Sequence, residues 1–452
     1  SWPCPYLLNC QNRELLKLSL SAIGRYNSGE SDFTMTKLDL PHEFIKPRYE
    51  GGCFADLPGF IKSLLLPDSA SPLTPAGFAA FPARYRKIIF LFIDAFGWSF
   101  FERHRERLPF LRRFDARGSV TRITSQFPST TAAHVTTLYT GQPVGRHGVY
   151  EWHIYEPKLD AMIMPLQYAY SGDRAPETLQ TSGVPAESYL PVNWFVEDLT
   201  RNGVACFLSQ FHGFAHSTYS RMIGRGATIV PHRTLPEALA NATLMLQRQR
   251  GMAAYFLYTG TVDAISHDYG PNSVQVNAEI EGCCDALERW FERDAKQMPA
   301  DTLLILAADH GQVVVDPATT LYINQQPEFG KLQPMLKTTR QGQVLTPGGS
   351  CRDMFLYVKE NALEDARVIV AGMVGERGEV RYTADLINAG YFGPLPVSET
   401  FLSRVGNLVI LAREGESVWW FERDRFEQRF RGHHGGLTRG EMETPLLLHH
   451  FG

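Results

Sequence analysis

Four short apolar runs separated by helical stretches constrain the fold of this chain more than any other feature. The runs are KIIFLFI (87–93), VACFLSQ (204–210), AAYFLYT (253–259) and TLLILAA (302–308). Strands that are apolar along their whole length are typical of a sheet covered on both faces. The helical patterns between them are 194–203, 235–251 and 273–296. This alternation predicts an α/β fold with a mainly parallel central sheet and helices on both faces.

The character of the chain changes near residues 86, 330 and 401, which predicts three parts. Residues 1–85 are expected to form an N-terminal extension packed on the core, with a short helix near 11–25. Residues 86–329 and 401–452 are expected to form the core itself. Residues 330–400 are expected to form a small α+β cap insertion.

Apolar runs in the last third of the chain predict further strands. RDMFLYV (352–358) and VRYTADL (380–386) flank a helical stretch at 365–376 and are assigned to the cap. NLVILAR (407–413) and SVWWFER (417–423) are predicted to return to the main sheet.

Composition and charge exclude several classes of function. The net charge of −4, without a long Lys/Arg run, argues against binding of a nucleic-acid duplex. No apolar stretch reaches the ~20 residues that span a bilayer, so no transmembrane segment is predicted. Seven cysteines without a repeated spacing favour a reduced, cytoplasmic setting over a disulfide framework. Because the chain starts at Ser1 without an apolar leader, an export signal removed earlier is the alternative.

Six side chains of the kind that bind metal ions occur near strand ends or beside glycines. They are Asp94, Asp263, His267, Asp309, His310 and His434. Alone, each is compatible with a cap or a surface hydrogen bond. Together they indicate a site, because side chains that follow parallel strands meet at one edge of the sheet. Mixed Asp/His ligation suits two divalent ions, with Zn²⁺ preferred and Mn²⁺ or Fe as alternatives.

A threonine-rich loop, FPSTTAAHVTTLYTG (127–141), supplies candidate nucleophiles. A metal ion can activate a hydroxyl, and the N–H groups at a helix start attract an anionic phosphoryl group. Thr130 and Thr131 are both suitably placed, and the residues alone do not decide between them. The alternative is a helix start capped by Thr130 or Ser129.

The ordered motifs resemble the alkaline phosphatase superfamily, in its nucleotide pyrophosphatase/type I phosphodiesterase branch. The matching segments are TGQPVGRHG (140–148), DAISHDYGP (263–271), DHG (309–311) and GHHGG (432–436). The similarity covers about residues 87–320 and 425–450. Counting ten residues back from Gly141 identifies Thr131 as the nucleophile, and the last motif selects His434 over His433 as a ligand.

The resemblance implies a ligand set for each of two metal ions. One ion would be held by Asp263, His267 and His434, and the other by Asp94, Asp309, His310 and the Thr131 oxygen. Three residues after the nucleophile, where the family commonly has an Asn that contacts the phosphoryl group, this chain has His134. His134 is therefore predicted to bind substrate.

These features predict a two-metal phosphodiesterase or nucleotide pyrophosphatase that acts on a small-molecule phosphate ester or nucleotide through a phosphothreonine intermediate. A phosphomonoesterase or a phosphonate C–P hydrolase would use the same site. A metal-dependent phosphomutase and a non-catalytic binding protein are further alternatives. Phe127, Trp152 and Tyr155 flank the nucleophile loop and are candidates for stacking on a planar leaving group, with ordinary packing as the alternative.

Overall fold

A computed structural model describes residues 38–191 and 195–452. Its main sheet has seven strands: β1 (Lys87–Ile93), β2 (Ser119–Thr124), β3 (Ala205–Phe211), β4 (Thr228–His232), β5 (Ala253–Thr259), β6 (Thr302–Ala307) and β7 (Glu443–His450). The strand order is β2-β7-β6-β1-β5-β3-β4. Strand β7 pairs antiparallel with β6 and with β2, and the other four pairings are parallel. The predicted α/β fold and its four strands are confirmed.

The burial of the central strands explains their composition. Every residue of β1 and of β6 is buried, so both faces of the sheet are covered. The helix Val274–Arg293 packs Ile280 and Leu287 into the same core as Leu91 of β1. It begins where the Ser273 side chain accepts a hydrogen bond from the Val276 N–H, a typical helix cap.

Fifteen α-helices lie in the described ranges 38–191 and 195–452. They are Leu57–Leu65, Trp98–His104, Pro109–Arg117, Thr131–Thr140, Val144–His147, Phe195–Arg201, Thr218–Ile223, Leu235–Arg248, Thr261–Tyr269, Val274–Arg293, Phe329–Leu332, Leu363–Val374, Thr383–Asn388, Glu399–Arg404 and Arg439–Met442. None of these helices is long and apolar enough to cross a membrane. The predicted helix near 11–25 lies outside the described residues.

Smaller sheets account for the remaining strands. These strands are Ile154–Glu156, Ala161–Met164, Ala169–Tyr170, Val313–Val314, Leu321–Tyr322, Asp353–Leu356, Gly378–Tyr382, Leu408–Ala412, Val418–Trp419 and Gly432–His433. Two short pairings among them bear on the prediction for the last third of the chain: Gly432–His433 pairs with Val313–Val314, and Val418–Trp419 pairs with Leu321–Tyr322.

The prediction that 407–413 and 417–423 return to the main sheet is wrong. Leu408–Ala412 is the central strand of a separate antiparallel sheet, between Asp353–Leu356 and Gly378–Tyr382. That sheet has its own apolar core, in which Ile410 packs with side chains of the helix Leu363–Val374. An apolar strand can be buried in either sheet, so its composition does not show which strands it pairs with. The division of the chain into three parts stays a prediction.

Candidate metal centre

The main sheet brings the predicted site residues together. Asp94 directly follows β1, and Asp309 and His310 lie just beyond the end of β6, which is the neighbour of β1. Asp263 and His267 lie one turn apart on Thr261–Tyr269, the helix that follows β5 on the other side of β1. Thr131 begins the helix Thr131–Thr140, and His434 follows the short strand Gly432–His433. These seven residues are called the metal centre below.

Asp94, Asp309 and His310 form the first group of potential ligands. Their ligand atoms all lie within 4.8 Å of one another. His310 Nε2 lies 3.3 Å from Asp309 Oδ2 and 3.6 Å from Asp94 Oδ1. All three side chains are buried, and Asp309 Oδ2 has no hydrogen-bond partner among the described residues. A buried carboxylate oxygen in this state is costly unless a cation meets it.

Asp263 and two histidines form the second group. His434 Nε2 lies 3.7 Å from Asp263 Oδ1, and His267 Nε2 lies 3.4 Å from Asp263 Oδ2. The rings of His310 and His434 stack with centroids 3.7 Å apart, so the two groups adjoin. A 4.8 Å grouping of ligand atoms joins Asp263 to His310 and His434. His310 therefore lies near both groups, whereas the resemblance assigns it to one.

Backbone carbonyls orient all three imidazoles of the metal centre. The hydrogen bonds run from Nδ1 of His267 to Gly432 (2.8 Å), of His310 to Gly311 (3.0 Å) and of His434 to Ser129 (3.0 Å). Because a carbonyl only accepts, each Nδ1 carries the proton and each Nε2 presents a lone pair to the carboxylates. The imidazole lone pairs and the carboxylate oxygens therefore face each other without a proton between them. A metal ion bound between them would interact favourably with both.

The charges of the carboxylates also fit cations. Burial, followed by repulsion from Asp309 and Asp263, holds the pKa of Asp94 well above its ordinary range. Burial raises the pKa of Asp309 to about 7. Burial likewise lowers the pKa values of His310 and His434 well below the ordinary range, so both imidazoles are neutral near pH 7. Positive ions placed among these groups would offset the cost of burying the ionised carboxylates.

The Thr131 hydroxyl faces the first group. Its Oγ1 lies 3.3 Å from Asp94 Oδ2 and 3.2 Å from His310 Nε2. The Thr130 side chain instead interacts with Glu151. The geometry thus distinguishes two threonines that the residues alone left equivalent.

A cavity of about 730 Å³ opens above Thr131. Asp94, Thr131 and Asp263 line it together with aromatic and cationic side chains, which include Tyr139, Trp152, Arg174, His212, Phe214, Tyr219, Arg221 and Tyr258. Of the three aromatic candidates from the sequence, Trp152 lines this cavity. Phe127 is fully buried against Phe392, and the Tyr155 hydroxyl donates to Asp160.

Both ring nitrogens of His134, the predicted substrate-binding residue, form hydrogen bonds within the chain. Its Nδ1 donates to the Thr130 carbonyl (2.8 Å), and its Nε2 accepts from the Gln126 N–H (3.1 Å) and lies 2.9 Å from the Ser125 hydroxyl. The ring is fully buried and outside the cavity lining, and burial lowers its pKa to about 3. Both ring nitrogens are therefore committed to the turn that precedes Thr131.

Two residues that sequence reasoning missed hold the carboxylates in place. The Tyr258 hydroxyl donates to Asp94 Oδ2, and the Gln312 amide donates to Asp263 Oδ1 (2.6 Å). Tyr258 is the penultimate residue of β5, and Gln312 directly follows the DHG segment. Both residues are close in sequence to the predicted site residues, and side chains at these positions reach the same edge of the sheet. Their positions could therefore have identified them as candidates from the sequence.

A family model described as type I phosphodiesterase/nucleotide pyrophosphatase matches residues 88–437, which is more than half of the chain. No curated protein sequence matches the chain.

Among solved structures, the chain is similar to murine ectonucleotide pyrophosphatase/phosphodiesterase 5 (TM-score 0.58, 16% identity, 80% of this chain and 88% of that one). An inactive variant of the murine protein was solved in complex with AMP (TM-score 0.57, 16% identity, 80% of this chain and 87% of that one). The chain is also similar to phosphonoacetate hydrolase from Sinorhizobium meliloti 1021 in complex with phosphonoacetate (TM-score 0.56, 16% identity, 80% and 90%). At these identities the structural matches show the fold.

Proposed function

The chain belongs to the type I phosphodiesterase/nucleotide pyrophosphatase family, whose members are two-metal hydrolases, and we propose that it cleaves small-molecule phosphodiester or pyrophosphate links with Thr131 as the nucleophile. One observation carries this proposal. The Thr131 hydroxyl lies at the floor of a cavity, within 3.3 Å of both Asp94 and His310. A reacting phosphorus atom in the cavity would therefore meet a hydroxyl that already lies among potential metal ligands.

The two groups of contacts support the ligand sets that the family resemblance implies. Asp94, Asp309, His310 and Thr131 would hold one ion, and Asp263, His267 and His434 would hold the other. The imidazole lone pairs and carboxylates favour Zn²⁺, with Mn²⁺ or Fe as alternatives. When bound, such ions neutralise phosphoryl oxygens and lower the pKa of a coordinated hydroxyl.

The reaction consists of two displacements at phosphorus. After the Thr131 hydroxyl loses its proton to solvent, its Oγ1 forms a bond to phosphorus while the bond to the leaving-group oxygen breaks, and that oxygen takes up a proton from solvent. The product is a phosphothreonine ester that keeps the second ester group. Water then bonds to phosphorus, the Thr131–phosphorus bond breaks, and Thr131 recovers a proton. Two in-line displacements retain the configuration at phosphorus.

The charges that line the cavity support a diester over a monoester. A diester carries one negative charge, whereas a phosphomonoester carries about two near pH 7. Of the two arginines that line the cavity, Arg174 forms an exposed pair with Asp424, whereas Arg221 donates to the neutral His216 carbonyl and keeps its positive charge. Thr131 itself is flanked by the carboxylates of Asp94 and Asp263 in the cavity lining. A second negative charge at this position would therefore depend on the ions and on Arg221 alone for compensation.

Zinc-reconstituted enzyme is expected to hydrolyse a chromogenic phosphodiester with kcat/KM at least about tenfold above that for the matching monoester, a difference of ~1.4 kcal/mol. Initial rates on the two substrates, measured with the same leaving group, test this directly. A faster monoester would assign the chain to the phosphomonoesterases and overturn the diester proposal.

The variant Tyr258→Phe is expected to weaken metal binding about tenfold. The Tyr258 hydroxyl donates to Asp94 Oδ2, and its loss frees the carboxylate to leave its ligating orientation. Titration of zinc against a competing chelator measures the change. Tyr255→Phe is the matched control, because the Tyr255 hydroxyl on the same strand donates to the Ala238 carbonyl instead. Equal affinities for Tyr258→Phe and wild type would show that Asp94 needs no such support.

A further inference from the structure

Behind the metal centre lie two buried carboxylates, Glu151 and Asp353, with no cationic partner. They are 1% and 0% exposed, and neither forms an ion pair with a Lys, Arg or His of the described ranges. The neighbouring Arg352 is committed to Glu441 through two 3.0 Å hydrogen bonds. Isolated carboxylates in such surroundings cost several kcal/mol unless a proton or a cation compensates them.

Oxygen atoms from two segments of the chain converge over Gly435, whose φ is +124°. A Cβ on Gly435 would lie 2.5 Å from Ser350 Oγ, 2.7 Å from Asp353 Oδ1 and 3.1 Å from Glu151 Oε1. Ser350 Oγ also donates to Asp353 Oδ1 (2.6 Å). The Thr130 side chain adds a hydroxyl in contact with Glu151.

Two of the carboxylate oxygens in this cluster are unsatisfied. Glu151 Oε1 and Asp353 Oδ2 are both buried without a hydrogen-bond partner. Nearly all buried polar atoms in folded proteins have a hydrogen-bond partner. Two carboxylate oxygens without one in the same cluster therefore indicate a missing ligand.

We propose that Glu151, Asp353, Ser350 and Thr130 bind a third cation, of the oxygen-coordinated Mg²⁺ or Ca²⁺ class. A site made only of carboxylate and hydroxyl oxygens suits these hard ions, whereas zinc prefers sites that include nitrogen or sulfur. A divalent ion also balances the two carboxylate charges. The site is separate from the metal centre in its ligands, and the inference holds whether or not Thr131 is the nucleophile.

The electrostatics of the pair agree with this geometry. Burial raises the pKa of Glu151 to about 7. Burial, and then the charge of Glu151, holds the pKa of Asp353 well above its ordinary range. Without a cation, the pair would therefore hold a proton near pH 7, which is the competing account.

The third cation would join three parts of the molecule. Thr130 directly precedes the proposed nucleophile, and Gly435 directly follows His434 of the metal centre. Asp353 begins the outer strand Asp353–Leu356 of the small antiparallel sheet. The ion would thus fix the small sheet to the two loops that position Thr131 and His434.

Metal content tests the proposal. Wild type, Glu151→Gln and Asp353→Asn are loaded with zinc, dialysed against Mg²⁺ or Ca²⁺, and measured by elemental mass spectrometry. We expect about one Mg²⁺ or Ca²⁺ per chain in wild type, its loss in both variants and unchanged zinc. Asp115→Asn, which removes a surface carboxylate paired with Arg105, is the matched control and keeps the extra ion. Wild type without an extra ion, or variants that retain it, would overturn the proposal.

Thermal unfolding gives a second readout that does not require the variants to be fully stable. At fixed zinc, the Tm of wild type and of Asp115→Asn should rise with Mg²⁺ or Ca²⁺ concentration, because an ion that binds only the folded state stabilises it. The Tm of Glu151→Gln should not respond. A wild-type Tm that is independent of both ions would show that the pair holds a shared proton instead.

Discussion

Replacing Thr131 with alanine is expected to lower kcat/KM for a phosphodiester by on the order of 10³-fold or more, with both zinc ions still bound. The hydroxyl that lies 3.3 Å from Asp94 Oδ2 is the proposed attacking group, and alanine removes it without touching a carboxylate or an imidazole. The remaining ligands still number three for each ion. Turnover is therefore lost while metal content and substrate affinity persist.

Thr140→Ala is the matched control, because Thr140 ends the same helix and its hydroxyl donates to the Thr136 carbonyl (2.7 Å), away from the metal centre. Its kcat/KM should stay close to the wild-type value. Steady-state rates and zinc content are measured on both variants. If Thr131→Ala kept activity within about tenfold of wild type, direct attack by water would replace the covalent route.

The variant Asp263→Ala is expected to bind one zinc ion fewer per chain and to lose activity on the order of 10³-fold. Asp263 is the carboxylate that both His267 and His434 approach, at 3.4 and 3.7 Å. Without it, the second ion would keep only two neutral imidazoles as proposed ligands, and its charge would be uncompensated. Leaving-group departure then lacks the stabilisation that this ion supplies when bound.

The control for Asp263→Ala is Asp268→Ala, an exposed aspartate on the same helix. It should retain two zinc ions and wild-type kcat/KM. Elemental analysis of both variants, alongside initial rates, separates loss of the ion from loss of the fold. Two zinc ions bound to folded Asp263→Ala would contradict the assignment of Asp263 as a ligand.

The edge of the sheet where the metal centre lies could be predicted from sequence because it depends on local pattern. Fully apolar runs indicated central strands, and Asp94 and Asp309 come at or next to the end of two of them. Since β1 and β6 are neighbours, their carboxyl ends placed these carboxylates together. The order of the motifs then gave the remaining candidates.

Other features depend on contacts between residues far apart in the chain, and no local pattern reports them. Leu408–Ala412 has the composition of a main-sheet strand but lies in the small sheet. The role of His134 in substrate binding stays a prediction, but its hydrogen bonds to Thr130 and Gln126 could not be foreseen from its position relative to Thr131. Glu151 and Asp353 are about two hundred residues apart, so their shared burial emerged only in three dimensions.

The configuration at phosphorus is the most direct test of the central claim that Thr131 forms a covalent intermediate. A phosphorothioate diester of known chirality is hydrolysed in ¹⁸O-labelled water by zinc-loaded enzyme, and the configuration of the labelled product is determined. Two successive in-line displacements predict retention. Inversion would mean a single displacement by water, and it would contradict the role of Thr131 as the nucleophile.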